Sequence, residues 1–184
     1  LTVPKELAPF VNVEIDGFKN LLSLSEYTNA RRVLGRSKVK HALSHIDAYA
    51  AEDNKLVVFA WAREVIDQLK ASLGSRAEVV YGDTNDAQRI VARDRFRNDP
   101  TCTVIIGSIQ AMGMAISLAN ASHILFVETD WPGGAMQQAE ERASDASQDK
   151  QVLIEYMVYE GSLDSYMLDN SRDKATTASR ALNI

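Results

Sequence analysis

The chain has few of the residues that mark secreted or membrane proteins. Its 184 residues include one cysteine, Cys102, so an internal disulfide is impossible and we expect a reducing, intracellular compartment, either cytoplasm or nucleus. Cys102 precedes a strand-like run and is predicted to be an inert buried hydrophobe. No apolar run approaches the roughly 20 residues that span a bilayer, so we expect no membrane role. The start, LTVPKELAPF, lacks a secretory signal and an initiator Met, which suggests a fragment, and we expect this fragment to be a monomer.

An excess of basic charge is also missing. The formal net charge is −5, which counts against a protein that simply coats nucleic acid. The bases are nevertheless uneven, because five of them fall within ten residues that contain no acid: Arg31, Arg32, Arg36, Lys38 and Lys40. This group is interpreted either as a solvated helix face or as a local contact to a nucleic-acid strand, and both interpretations stay open.

The hydrophobic pattern predicts an α/β fold. From about residue 55, short apolar runs alternate with amphipathic segments, which is typical of a mainly parallel sheet with helices on both faces. Residues 86–98 are predicted to be a helix with Ile90 and Val91 inward, and Gly74 is predicted to end the preceding helix. Residues 36–51 also read as a helix. We therefore divide the chain into a helical N-terminal extension, 1–50, and a main domain, 51–184.

A phosphate-binding loop is absent. Residues 107–113 (GSIQAMG) have the wrong spacing for a Walker A motif, and Met114 stands where a lysine is required. The acidic strand end at Glu128 resembles a magnesium site only weakly, because acids at strand ends are usually solvated. His41 and His45 share a helix face without the further ligands that zinc needs, and His123 reads as structural. We predict no metal site.

Four segments, each at a strand-to-helix junction, follow one another in a particular order. They are residues 55–61 (KLVVFAW), residues 81–84 (YGDT) with Arg89 and Phe96 beyond, residues 108–121 (SIQAMGMAISLANA), and residues 131–134 (WPGG) leading into 138–142 (QAEER). Together with residues 35–38 (GRSK) and 161–164 (GSLD), they resemble the C-terminal RecA-like lobe of SWI/SNF-type superfamily-two helicases and translocases. Within that branch, the annealing-helicase (HARP-like) members are the most similar.

The resemblance implies a three-layer RecA-like domain that works with a first lobe of the same protein. In this family the first lobe holds ATP and Mg²⁺, and the second lobe supplies an arginine to the γ-phosphate. Arg142 matches that arginine and Gln138 the leading glutamine of its motif. We expect the full-length protein to be an ATP-dependent DNA helicase or translocase, and this fragment alone, which has no Walker A motif, to be inactive.

The same resemblance implies contacts to the DNA backbone that do not depend on base sequence. The residues concerned are Ser108, Gln110, Gly113, Trp61, Arg63, Gly82 and Thr84, with Arg89 and Glu128 as further possibilities. Trp61 has an equally favoured alternative as a packed edge of the core. Arg93 and Arg97, on the same helix as Arg89, read as a solvated ridge.

One departure from the family pattern affects the catalytic prediction. The second arginine of the Arg-x-x-Arg motif is Asp145 here, so the charge at that position is reversed. Loss of such an arginine lowers hydrolysis by several powers of ten in related enzymes. A non-catalytic, helicase-derived DNA-binding or scaffolding module is therefore the alternative function, and a stand-alone α/β domain that binds a small ligand is a more distant one.

Overall fold

The fold is a single parallel sheet with helices packed on it. The computed structural model describes residue 7 and residues 24–50, 55–112, 121–129 and 152–169. Five strands lie in the order β2-β3-β1-β4-β5, and all neighbouring pairs are parallel. The strands are β1 (Leu56–Phe59), β2 (Ala77–Val80), β3 (Val104–Gly107), β4 (His123–Phe126) and β5 (Leu153–Tyr156). The helices are α1 (Leu24–Ala50), α2 (Arg63–Leu73), α3 (Asp86–Asn98) and the short α4 (Ile109–Met112), and residues 163–169 are also helical. The predicted α/β class is confirmed.

The central strands are apolar on both faces because helices cover both faces of the sheet. In β1, Val57 and Phe59 join the core beneath α3, whereas Leu56 and Val58 join the core beneath α1 and α2. All four side chains are buried. This period of two explains why a central parallel strand reads as a continuous apolar run.

Helix α1 begins earlier than the sequence predicted. It starts at Leu24, whereas the pattern favoured a start at Arg36. The added turns are stabilised by Ala30 and Leu34, which pack in a cluster with Tyr159 and Leu163 from the far end of the chain. That contact is between residues distant in sequence, so local periodicity gave no sign of it.

The inward face of α3 differs from the prediction, although its bounds are as predicted. Ile90 and Val91 are 49% and 67% exposed, and the buried residues are Ala92 and Phe96. The prediction of Ile90 and Val91 as inward residues was therefore wrong. The reason is that Arg89, one turn before Ala92, lies on the inward stripe and donates its N–H groups to the carbonyls of Thr84 and Ala111.

Two bases of α1 are buried, which neither interpretation of the basic group had predicted. Lys38 is fully buried, donates to the Val127 carbonyl at 3.0 Å and forms an ion pair with Asp164. Arg31 is 8% exposed and donates to the Thr129 carbonyl at 2.6 Å. These bonds tie α1 to the end of β4 and to the helical residues 163–169. Among the described helices, none is long and apolar enough to cross a membrane.

We predict that Lys38→Met destabilises the chain by about 3–5 kcal/mol, because the change leaves the Asp164 carboxylate buried without its counter-charge. Lys40→Met is the matched control, since Lys40 is exposed on the same helix, and we expect it to change stability by less than about 0.5 kcal/mol. Urea unfolding followed by circular dichroism measures both. Equal losses in the two variants would contradict the assignment.

Candidate nucleic-acid and lobe interface

The predicted binding residues meet at the carboxyl edge of the sheet. The loop after β1 carries Trp61 and leads to Arg63 at the start of α2, the loop after β2 carries Gly82 and Thr84, and the loop after β3 carries Ser108. The loops that follow parallel strands all open at the same edge, where ligands of open α/β sheets bind. The structure thus brings these segments, and the end of β4 with Glu128, to one side of the domain.

The turn after β2 is closed by its own side chain. Thr84 Oγ1 accepts a hydrogen bond from the Tyr81 amide at 2.8 Å, and the Thr84 amide donates to the Tyr81 carbonyl at 3.2 Å. Gly82 is exposed at the tip, and a Cβ built there would meet no described atom within 4 Å. Packing within the described chain therefore does not require glycine at this position.

Arg63 lies over the turn and remains accessible. Its Nη1 is 3.1 Å from Asp83 Oδ2, and its guanidinium carbon is 4.2 Å from the centre of the Tyr81 ring. The hydrogen bond from Arg63 lowers the pKa of Asp83. Burial and the bond to Asp67 raise the pKa of Tyr81 to about 12, so its hydroxyl stays a donor. Because Arg63 and Asp83 are 61% and 68% exposed, their pairing contributes little stability and is easily exchanged.

The loop after β3 begins as a capped helical turn. Ser108 Oγ accepts a hydrogen bond from the Ala111 amide at 3.1 Å, which satisfies one free N–H at the start of α4. Gln110 points to solvent. Gly107 is required by packing, because a Cβ there would collide with the Val80 carbonyl and approach Met112 Cγ to 2.9 Å.

Arg89 links the loops after β2 and β3. Its Nε donates to the Thr84 carbonyl at 2.7 Å, its Nη2 to the carbonyls of Tyr81 and Gly82, and its Nη1 to the carbonyl of Ala111. An arginine has five N–H donors, and these contacts occupy most of them. Arg89 therefore positions the two loops, and its possible contact to nucleic acid stays a prediction.

Glu128 is buried, contrary to the expectation of a solvated acid. It is 4% exposed, and its Oε2 accepts hydrogen bonds from the amides of Trp61 and Ala62 at 2.9 and 2.8 Å. These amides lie just before α2, so the carboxylate holds the chain in place where it enters that helix. Gly35 of α1 lies against Oε1, where a Cβ would collide. Burial raises the pKa of Glu128, and the two amide bonds and nearby Lys38 only partly oppose it.

Trp61 packs rather than standing free. Its ring contacts the core beneath α1 and α2, and the guanidinium carbon of Arg31 lies 4.1 Å from the ring centre. This contact agrees with the packed-edge interpretation. The predictions for Arg142, Gln138 and Gly113 lie outside the described residues, as does Asp145.

Two contributors to this edge were missed by sequence reasoning. Tyr81 and Asp83 form the surface under Arg63, and they flank Gly82 in the segment that carried the resemblance. The alternation of polar and aromatic residues around a glycine was the available signal. A shallow cleft of about 660 Å³ beside them continues along α3 to Gln88 and Val91.

The comparisons with known proteins decide the family. Residues 37–147, more than half of the 184, match the helicase conserved C-terminal domain. The chain belongs to this family. It is 37% identical over 109 residues to the DNA annealing helicase and endonuclease ZRANB3 of Mus musculus, a match that covers 59% of this chain and 10% of that protein. It is 30% identical over 150 residues to the SWI/SNF-related matrix-associated actin-dependent regulator of chromatin subfamily A-like protein 1 of Xenopus laevis, covering 79% of this chain and 16% of that protein.

Solved structures confirm the predicted RecA-like fold. The Sulfolobus solfataricus SWI2/SNF2 ATPase C-terminal domain superposes with a TM-score of 0.67 at 15% identity, over 95% of this chain and 83% of that one. The C-terminal part of the Fun30 ATPase domain superposes with a TM-score of 0.62 at 21% identity, over 83% of this chain and 48% of that one. The resemblance inferred from the motifs is therefore confirmed. The chain spans only about a tenth to a sixth of the length of the two curated relatives named above.

We predict that Glu128→Gln flattens the pH dependence of stability. A carboxyl whose folded pKa is raised stabilises the fold when protonated, and this contribution is lost as the pH rises through the raised pKa. The free energy of unfolding of the unchanged chain should therefore fall relative to that of the variant as the pH rises above about 4.3, the ordinary pKa of glutamic acid. Urea unfolding at a series of pH values measures the difference.

The control is Glu160→Gln, because Glu160 is exposed. We expect this variant to keep the pH profile of the unchanged chain. A Glu128→Gln profile parallel to that of the unchanged chain would show that burial does not govern this carboxyl.

Proposed function

We propose that the chain is the second motor lobe of an ATP-dependent DNA helicase or translocase. The observation that carries the proposal is the meeting of three motif-bearing loops, those after β1, β2 and β3, at one edge of a parallel sheet, in a member of the helicase C-terminal domain family. The names of its relatives, a DNA annealing helicase and SWI/SNF-type proteins, favour DNA as the substrate. A first lobe elsewhere in the protein would hold ATP and Mg²⁺.

The DNA backbone would lie across the exposed loops after β1, β2 and β3. Gly82 leaves open space where a strand can approach the main chain, and Gln110 offers an exposed neutral donor. Arg63 can exchange its exposed partner Asp83 for a phosphate, which its planar fork binds with two hydrogen bonds. Such contacts grip phosphates without reading base sequence. Arg89 and Ser108 would act by holding these loops in shape.

ATP hydrolysis would need a group from this lobe at the nucleotide. We propose Arg142 for that role, with Gln138 beside it, because a guanidinium stabilises the charge that develops on the transferred phosphoryl group. Closure of the lobes on ATP and their separation after hydrolysis would move the protein along DNA. The N-terminal extension, 1–50, would brace this lobe against the first.

A second candidate function is a DNA-binding or scaffolding module without turnover. Asp145 favours it, since a carboxylate stands where the family has a second arginine, and its charge would oppose the triphosphate. Both functions require the same DNA-binding edge. They differ only in whether DNA stimulates hydrolysis.

We predict that Arg142→Ala lowers DNA-stimulated ATPase activity of the full-length protein by about 10³-fold or more, because an arginine finger supplies that much. Asp145→Arg should maintain or raise the rate. Steady-state phosphate release with and without DNA measures both variants. An unchanged protein that hydrolyses no ATP with DNA would establish the non-catalytic alternative, and full activity in Arg142→Ala would refute the arginine assignment.

We predict that Arg63→Ala weakens DNA binding by the chain and reduces the slope of log affinity against log salt by about 1. Arg76→Ala is the matched control, because Arg76 is also exposed and paired with an aspartate, at 2.9 Å from Asp47, but it precedes β2 at the opposite edge. Fluorescence anisotropy with labelled DNA at several salt concentrations measures both. Equal effects of the two changes would contradict the proposed edge.

A further inference from the structure

Three potential metal ligands meet at the end of the sheet opposite the candidate interface. His123 is the first residue of β4, Glu155 lies in β5, and His45 lies on α1. His45 Nε2 and His123 Nε2 are 2.7 and 2.6 Å from the same atom, Glu155 Oε2. All three potential ligand atoms lie within 4.8 Å of one another. Their convergence is tertiary, since the three residues are far apart in sequence.

His123 is the unusual member of this group. Its side chain is 1% exposed, and neither ring nitrogen has a partner in hydrogen-bonding geometry among the described residues, despite the short contact to Glu155. A buried polar atom without a hydrogen bond costs about 1–3 kcal/mol, so such atoms are rare unless they have another use.

Neighbouring rings hold the two imidazoles in place. The ring centres of His45 and His123 are 5.5 Å apart in an edge-to-face arrangement, and the Tyr49 ring lies 3.9 Å from His123. This packing fixes both rings while their Nε2 atoms face the carboxylate. Ligands that are oriented before binding lose less entropy when an ion arrives.

Two imidazoles and a carboxylate form a donor set that suits a divalent transition metal. Zinc binds histidine nitrogen at about 2.0–2.1 Å and carboxylate oxygen at about 2.0–2.2 Å, and a site with three protein ligands keeps a position for water. The present N–O contacts are shorter than the spacing of ligands around zinc, so Glu155 must withdraw slightly. The Glu155 and His45 side chains are 33% and 29% exposed, so the carboxylate has room to move and the group is open to solvent.

We propose that His45, His123 and Glu155 form a binding site for a divalent transition metal ion of the zinc class, which joins α1 to β4 and β5. The site revises our prediction of no metal site. Its role is structural, because it lies at the amino end of β4, away from the loops of the candidate interface. Lys38 and Arg31 fasten α1 to the other end of the sheet, so the ion would secure the same helix at a second point.

The test is a zinc titration of the tag-free, chelator-treated chain by isothermal calorimetry. We expect one zinc per chain, and we expect His45→Ala and Glu155→Gln each to weaken binding by about 100-fold or more, since even second-shell changes cost about 10–100-fold. His41→Ala is the matched control and should leave affinity unchanged, because His41 is exposed one turn before His45 on α1. Circular dichroism checks that each variant folds.

Cobalt provides an independent readout. Co²⁺ with a low coordination number absorbs visible light, and its bands depend on the identity and geometry of its ligands. We expect saturable bands at one equivalent in the unchanged chain and in His41→Ala, and their loss in His45→Ala. Zinc should also raise the Tm of the unchanged chain but not of Glu155→Gln. Binding that survives both ligand changes, falls equally in His41→Ala, or never saturates at one equivalent would overturn the proposal and leave a hydrogen-bonded cluster. The proposed motor function would be unaffected by that result.

Discussion

The buried ammonium of Lys38 joins three elements that are distant in sequence. It lies on α1, donates to the Val127 carbonyl at the end of β4, and pairs with Asp164 in the helical residues 163–169. A buried cation is tolerated only when its partners are well placed, because desolvation costs several kcal/mol. The position of α1 on the sheet is therefore tightly constrained. The same close approach requires a glycine at position 35, because a Cβ there would collide with the Glu128 carboxylate.

Other long cationic side chains support the loops in a similar way. Arg89 donates to carbonyls of the loops after β2 and β3, near the start of α3. Lys55 binds the other end of α3, where its Nζ donates to the carbonyls of Asp99 and Cys102 at 2.9 and 3.1 Å. A cation is favourable at a helix C-terminus, where carbonyls lack helical partners. At the candidate interface, Arg89 thus uses its charge internally, whereas Arg63, Asp83 and Gln110 are exposed polar residues in the described part of that edge.

Local features of the fold were predictable because their causes are local. The bounds of α3 follow from Asn85, whose side chain accepts a hydrogen bond from the Gln88 amide, and from Pro100 beyond its end. Gly74 ends α2 with a positive φ of 58°, as its type predicted. The convergence of Gly82, Thr84 and Ser108 was also predictable, since parallel strands place their following loops at one edge. The roles of Glu128 and Arg89 were not, because each depends on main-chain groups that folding brings near.

By itself, the sequence determined the α/β class, the run of parallel strands, the loops at the carboxyl edge and the family. These follow from periodicity and from motif order along the chain, which are properties of neighbouring residues. Only the tertiary structure decided that Lys38 is buried, that Ile90 and Val91 face solvent, and that His45 meets His123 and Glu155. A side chain's surroundings depend on which distant segment packs against it. Periodicity shows that a helix has a buried face, whereas the opposing surface selects which polar side chains are enclosed with it.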